Sequence, residues 1–368
     1  MTRLSAKYDA INLAQGYPDF SCPQELKDAA AKAVADDYNQ YSVTWGSPTL
    51  REAIAEKAMK YNKIEATADK NIVVTCGTTE AMMASQLAIL DPGDELLVFS
   101  PHYENYAPDA IISGAKPRYF ELDEKKGFAI DEEKLKRNFN SKTRGVILNT
   151  PNNPSGKVFS KQELELISDL CVDHDAVCFT DEIYEHILYD GSRHISIGSF
   201  PSMTERTVTI SGFSKSYSVT GWRVGYAIAD EKLADAIKKL HDFLTVGAPH
   251  PLQIACARAL SLPESYYTEL RKDYERKRDL LYSSLESFGF RCFKPSGAYY
   301  IWCDFSMIDP KSDDVEFSEN LVKNVGVAGV PGSSFYNSES GKKRIRFTFS
   351  KKLETLKAAC EKLKKGLS

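Results

Sequence analysis

The chain has 368 residues, 42% of them hydrophobic, with 47 Lys and Arg against 51 Asp and Glu and a formal net charge of −4. That length exceeds what one core fills comfortably, so two domains are expected. The slight acidity and the shortness of the basic clusters (Lys342, Lys343 and Arg344; the run from Lys362 to Lys365) exclude nucleic acid and anionic membrane as partners. No apolar run reaches the roughly 20 residues of a bilayer span, and the N-terminus lacks a basic start followed by an apolar block, so a cytoplasmic protein is expected. The eight cysteines stand singly without a CxxC pair, and the six histidines are unpatterned. Neither a disulfide framework nor a metal site is expected.

In chain order, the first 30 residues hold no strand/helix alternation and are expected to join a small domain or line a cleft. Residues 71–75 (NIVVT), 95–99 (ELLVF), 117–122 (PRYFEL), 145–149 (GVILN), 176–180 (AVCFT), 207–210 (TVTI) and 224–229 (VGYAIA) read as short buried strands. Helix-length segments at 79–90, 131–139 and 161–174 separate several of them. Such alternation over about 160 residues predicts an α/β layer with a mostly parallel sheet. Helical patterning follows from 233 to 261, broken at Gly247, Pro249 and Pro251, and a long charged helix runs over 264–287. Strands at 291–294, 298–305, 326–330 and 344–349, closed by a helix over 354–365, predict a smaller α+β domain. The expected division is 30–250 for the large domain, and 1–29 with 251–368 for the small one.

In open α/β sheets ligands bind beyond the carboxyl ends of the strands, so those ends carry the chemistry. After NIVVT, Gly77, Thr78 and Thr79 open a helix, where free amides and hydroxyls converge on an anion, although Gly-Thr also caps ordinary helices. After ELLVF come His102, Tyr103 and Tyr106, an aromatic face. The turn after GVILN contains Asn153, and asparagine commonly serves turns. Asp181, at the inner end of AVCFT, needs a partner if buried; a protonated pyridine nitrogen is one, and Tyr184 and Asn153 could then meet the ring's phenolic oxygen. After TVTI comes Lys215, with Ser214 beside it and Arg223 in the following uncharged run. A lysine amine whose charge is disfavoured can form an imine with an aldehyde, which is how pyridoxal phosphate is carried.

These segments together resemble the pyridoxal-phosphate-dependent aminotransferases of fold type I, class I/II, and within them the subgroup of kynurenine, glutamine, methionine and aromatic aminotransferases. The resemblance spans nearly the whole chain and rests on NLAQGYPDF (12–20), YSVTWGSPTLREAI (41–54), CGTTEAM, SPHYENY, NTPNNPSGK, TDEIYEHILYD, FSKSYSVTGWRVGY, SGAYYIW, VPGSSFY and RIRFTFS. It implies that Lys215 binds the cofactor and shuttles the substrate proton, and that Asp181 keeps the pyridine nitrogen protonated. Asn153 and Tyr184 then bond the ring oxygen, Tyr103 stacks on the ring, and Gly77, Thr78, Thr79, Ser214 and Arg223 surround the phosphate. Arg346, Gly16 and Asn153 take the substrate, and Tyr41 reaches the phosphate of a neighbouring subunit, making the unit a homodimer with a shared site. The implied reaction is ping-pong transfer of an α-amino group between an amino acid and a 2-oxo acid, with no metal.

Strand alternation puts Arg344 and Arg346 on one face, so only the resemblance selects Arg346. The chain departs from the family pattern in three places. Gly212 stands where many relatives have a phosphate-binding Ser, leaving Ser211 or Ser214 to compensate. The chain begins about a dozen residues before LAQGYPDF, so the longer N-terminal segment of some relatives is expected to be missing or very short. Tyr336 replaces a small residue and is expected to narrow a wall near the site. Aromatic and aliphatic donors are expected over aspartate, since Thr79 stands where aspartate-preferring relatives can place a lysine. The alternatives are a C–S β-lyase on cysteine conjugates, sharing the fold, and a non-catalytic ligand sensor. The intact Lys, Asp, Asn, Tyr and Arg set and the lack of a DNA-binding module speak against the sensor.

Overall fold

The computed structural model describes residues 1–367. Its centre is a seven-stranded sheet built from β1 (Ile72–Thr75), β2 (Glu95–Ser100), β3 (Lys116–Glu121), β4 (Thr143–Asn149), β5 (Val177–Asp181), β6 (Thr207–Gly212) and β7 (Gly225–Ile228). The spatial order is β1-β7-β6-β5-β4-β2-β3. Neighbours from β3 to β6 are parallel, while β7 runs antiparallel to both β6 and β1. All residues of β1, β6 and β7 are buried, the expected condition of apolar strands covered on both faces.

Helices cover the sheet where the alternation placed them, at Thr78–Ile89, Glu132–Asn138 and Lys161–Asp173. The last of these starts at a reciprocal capping box, in which Ser160 and Glu163 each accept the other's backbone N–H. The helical stretch beyond the sheet divides into Glu231–Thr245 and His250–Leu260. Pro251 does not interrupt the second helix: it sits in its first turn, where a missing N–H costs no intrahelical bond.

A second sheet, of order β10-β11-β9-β8, joins β8 (Arg291–Phe293), β9 (Tyr300–Asp304), β10 (Val330–Pro331) and β11 (Arg344–Thr348) in antiparallel fashion. The helices Glu264–Ser287 and Leu353–Leu367 pack on it around a core that includes Tyr274, Leu281, Ile301, Phe347 and Leu356. The strand expected over 326–330 is split, because Val327–Ala328 pairs in parallel with Ile11–Asn12 while Val330–Pro331 pairs with β11. The N-terminal segment is thereby stitched to the C-terminal part: Leu13 accepts the N–H of Thr348, and Ala14, Gln15 and Gly16 run on into a cleft between the two sheets.

Candidate active site

The ends of β1, β2, β4, β5 and β6 open on a cleft of about 670 Å³. Lys215, Asp181, Asn153, Tyr184, Tyr103, Thr78, Thr79, Ser214, Arg223, Arg346 and Gly16 all line it. Residues drawn from five strand ends, the N-terminal segment and the second sheet therefore meet at one place.

Lys215 follows β6 by three residues. Its Nζ donates to the Gly16 carbonyl at 3.2 Å and lies 5.8 Å from the Tyr299 ring centroid. Burial, with help from the neighbouring Arg346 and Arg223, pulls its pKa below the ordinary lysine value despite Tyr300 and Asp181. A larger fraction of neutral amine near physiological pH is the state a nucleophile needs.

Asp181 closes β5, 8% exposed. Its partner within the chain is one that the sequence did not reveal: the Tyr106 hydroxyl donates to Oδ2 at 2.8 Å, and the N–H of Ile183 donates to Oδ1 at 3.2 Å. Both donors favour the carboxylate, yet burial dominates and raises the pKa. An adjacent cation would reverse that balance.

The cradle next to the lysine rests on glycine. Gly77 has φ +83°, and a Cβ there would stand 2.5 Å from the Arg223 guanidinium. Only a residue without a side chain admits both that backbone and that contact. Arg223 itself is left-handed (φ +54°), held by bonds from its guanidinium to the carbonyls of Thr220 and Cys76. Thr78 and Thr79 begin the helix, so free N–H groups point at the same spot. A Cβ on Gly212 would stand 3.0 Å from the Gly225 Cα and 3.2 Å from Thr78, so a side chain there requires those neighbours to give way slightly. Of the flanking serines, Ser211 is committed to Glu185 on the far side of the strand at 2.6 Å, and Ser214 faces the cleft.

The two arginines of β11 separate cleanly. Arg344 pairs with Glu124 and Asp304 outside the cleft. Arg346 is buried without an acid: it donates to Asn153 Oδ1 at 2.7 Å and to the Ala14 carbonyl at 2.8 Å, between the rings of Tyr300 and Phe335. Its Nε has no partner. A buried guanidinium with an idle donor is a fork prepared for a carboxylate.

Tyr300 is a second residue that sequence reasoning missed. Its hydroxyl meets that of Tyr184 at 2.9 Å and its ring lies against Gly16, where a Cβ would clash with it. Its alternation on β9 was legible, but its contacts were not. Tyr336 corrects an expectation: it packs on Trp302 in the core beside the cleft and lines none of it, so it narrows no wall. Gly77 lies just behind the lining, and Tyr41 is 82% exposed on the outer surface, away from this chain's own cleft.

A nucleophilic lysine at a strand end, a buried carboxyl group opposite that a cation would ionise, an anion cradle at a helix N-terminus and an idle arginine define a pyridoxal-phosphate-dependent transferase. The sequence profile of the family "Aminotransferase class I and II" matches residues 8–363. Kynurenine–oxoglutarate transaminase 3 of Homo sapiens is 36% identical over 391 residues, covering 99% of this chain and 86% of that protein. Aspartate aminotransferase of Pyrococcus abyssi is 38% identical over 364 residues, covering 98% and 92%. The solved structure of N-succinyldiaminopimelate aminotransferase from Mycobacterium tuberculosis superposes with a TM-score of 0.97 at 34% identity, over 100% of this chain and 96% of that one. The chain belongs to the class I and II aminotransferases, has their fold type I architecture, and is an aminotransferase using pyridoxal phosphate. Among its described residues no helix is long and apolar enough to cross a membrane.

The residues fit that cofactor on the chain's own evidence: the glycine-floored cradle suits a phosphate, buried Asp181 suits a protonated ring nitrogen, and Lys215 stands between them.

Proposed function

We propose that this aminotransferase takes aromatic and aliphatic amino acids as donors and 2-oxo acids as acceptors in a ping-pong cycle. The observation that carries the donor class is the inventory of cations. Among the described residues, the cationic side chains lining the cleft are Lys215, Arg223 and Arg346. With Lys215 given to the cofactor and Arg223 to its phosphate, one cation remains, enough for an α-carboxylate and not for a second carboxylate on the side chain. Part of the remaining wall, Tyr103, Tyr300, Val330, Pro331 and Phe335, is apolar or aromatic and favours the same kind of side chain, beside the polar Gln15, Glu104 and Ser334.

Pyridoxal phosphate supplies the electron sink that stabilises negative charge at the substrate Cα. The chain's residues do the rest. Lys215 would hold the cofactor and, as a neutral amine, move the proton at the substrate Cα. Asp181, steadied by Tyr106, holds the proton on the ring nitrogen. Tyr184 and Asn153 bond the ring oxygen, and Tyr103 stacks on the ring. Gly77, Thr78, Thr79, Ser214 and Arg223 hold the phosphate, while Arg346, with Asn153 and Gly16, fixes the substrate carboxylate.

We further propose a homodimer in which Tyr41 completes the partner's phosphate site. Tyr41 and Val43 stand exposed on a segment packed against the end of the Glu231–Thr245 helix, where Phe243, Leu244 and Val246 are also exposed. Large apolar side chains left exposed on neighbouring segments in this way favour an interface there. The proposed division is a cofactor domain over 30–250 and a small domain from 1–29 and 251–368, in keeping with the two sheets. A cytoplasmic location accords with eight free thiols, though Cys292 and Cys303 face each other across β8 and β9 at 2.9 Å.

The test is a donor panel against 2-oxoglutarate and pyruvate. Aromatic and aliphatic donors are expected to exceed aspartate in kcat/KM, and a clear preference for aspartate would overturn the donor class. Pyruvate and thiol release from cysteine conjugates without an acceptor, faster than any transfer, would favour the β-lyase reading instead.

A further inference from the structure

We propose that Glu80 and His241 are positioning residues that tie the phosphate cradle to the segment bearing Tyr41. The proposal rests on the assignment of Gly77, Thr78, Thr79 and Arg223 to the cofactor phosphate made above.

Glu80 lies in the first turn of the Thr78–Ile89 helix, and its Oε2 accepts the N–H of Cys76, the residue before the Gly77 turn. Capping the helix would need no more than that. Its Oε1 instead reaches a different helix, accepting from His241 Nδ1 at 2.7 Å and from Thr245 Oγ1 at 2.8 Å. The other nitrogen of His241 bonds the Thr44 carbonyl at 2.9 Å. Thr44 is three residues from Tyr41, and the same segment is pinned again where Gln253 bonds the Ser47 N–H and the Ser42 hydroxyl and where His250 bonds the Gln40 carbonyl. One continuous set of hydrogen bonds therefore runs from the floor of the cradle to the loop proposed to complete the partner's cradle.

The chemistry of the bridge fixes its charge. A carboxylate and a backbone carbonyl only accept, so a ring that bonds both carries a proton on each nitrogen. His241 is fully buried, and the positive charge it then bears is balanced by Glu80 beside it. Burial would raise the Glu80 carboxyl, but the bond and charge of His241, with Cys76 and Thr245, hold it below the ordinary value. A lone carboxylate beside a phosphate site would repel the phosphate. Paired with an imidazolium it is neutral overall and can order the Gly77 turn without opposing the anion.

Positioning and simple charge thus predict opposite signs, which apoenzyme titrated with pyridoxal phosphate distinguishes by dissociation constant, with apoprotein melting and circular dichroism as folding controls. Glu80→Ala is expected to weaken cofactor binding about tenfold or more, in the range for loss of a group that orients a binding residue. Glu80→Gln is expected to rescue most of it, because the amide oxygen can take the Cys76 N–H while its NH₂ donates to a neutral ring. His241→Phe, which fills the space without the bonds, should behave as Glu80→Ala does. Where either variant is too unstable to purify, Glu80→Asp, too short to span both partners, takes its place with the same expectation. Unchanged or tighter binding in Glu80→Ala and His241→Phe, or in Glu80→Asp where it replaces one of them, overturns the proposal. Arg223→Gln separates the two readings: if it leaves affinity intact, the cradle assignment itself is wrong, whereas if it weakens binding and Glu80→Ala does not, only the positioning role falls.

Discussion

Two clusters of buried charge lie on opposite sides of β6, and they differ in what their atoms have left to do. Beneath the strand, Lys57 Nζ bonds Glu185, Asn62 and Tyr226; Glu185 also accepts from Ser211 and Asn62; Glu182 takes Thr180, Ser196, Asn62 and His194. Burial opposes both charges of the central pair, yet Lys57 holds Glu185 down at about 2 and is itself raised by it. Glu182, Glu185 and His194 approach one another closely enough to suggest metal ligands, but their carboxylate oxygens are already committed. Above the strand, Lys215 has one carbonyl, Asp181 has a phenol and an amide, and Arg346 has an idle Nε. Burial and charge are common to both clusters; apart from the unpartnered Nδ1 of His194 below the strand, uncommitted valence lies in the cleft and marks it as the place where ligands act.

The sharpest way to break this contrast is to remove one lysine from each side. Lys215→Ala is expected to lower turnover by about 10³-fold or more and to abolish the yellow colour of the holoenzyme, with little change in melting temperature. A yellow, active variant would defeat the assignment. Lys57→Met leaves Glu185 buried and unpaired and should cost about 3–5 kcal/mol of stability by denaturant titration, while the folded fraction keeps its kcat. The arginines of β11 repeat the contrast on one strand. Arg346→Gln removes charged bonds to substrate of about 1.5–3 kcal/mol each and should lower kcat/KM for every donor by about 10²-fold or more. Arg344→Gln, losing a partly exposed pair, should stay within about threefold.

Smaller effects sharpen the account. Tyr106→Phe should weaken cofactor binding by about tenfold, the lower end of the range for one hydrogen bond to a charged group. Asp109 is a buried acid outside both clusters, with Oδ2 unpartnered, and burial raises it from 3.8 to about 7. Between those values the folded protein holds a proton that the unfolded chain has released, so stability falls as pH rises from about 4 to about 7. Asp109→Asn should flatten that slope and add on the order of 1 kcal/mol above pH 7, discounted for residual solvation.

The sheet was legible because its strands are short β-branched runs bounded by turn residues, and the site because parallel strands end on one edge. What stayed hidden depends on contacts distant in sequence. The helices Gln24–Ala35 and Pro48–Lys57 were not anticipated, since nothing in the first segments repeats the strand/helix alternation that organised the rest. Tyr106 was read as part of an aromatic loop, and only the fold brings it to Asp181 across 75 residues. Arg344 and Arg346 share a strand face, and alternation alone could not divide them. The resemblance selected Arg346, and the contacts divide the two as well: two acids outside the cleft, or Asn153 and the N-terminal segment within it.

Borohydride reduction of the holoenzyme, followed by peptide mass spectrometry, tests the central claim most directly, because it fixes the cofactor to whichever amine holds it. The account predicts a pyridoxyl group on the peptide containing Lys215 and on no other. A label on Lys57, or an unlabelled Lys215 in a fully active enzyme, would contradict it.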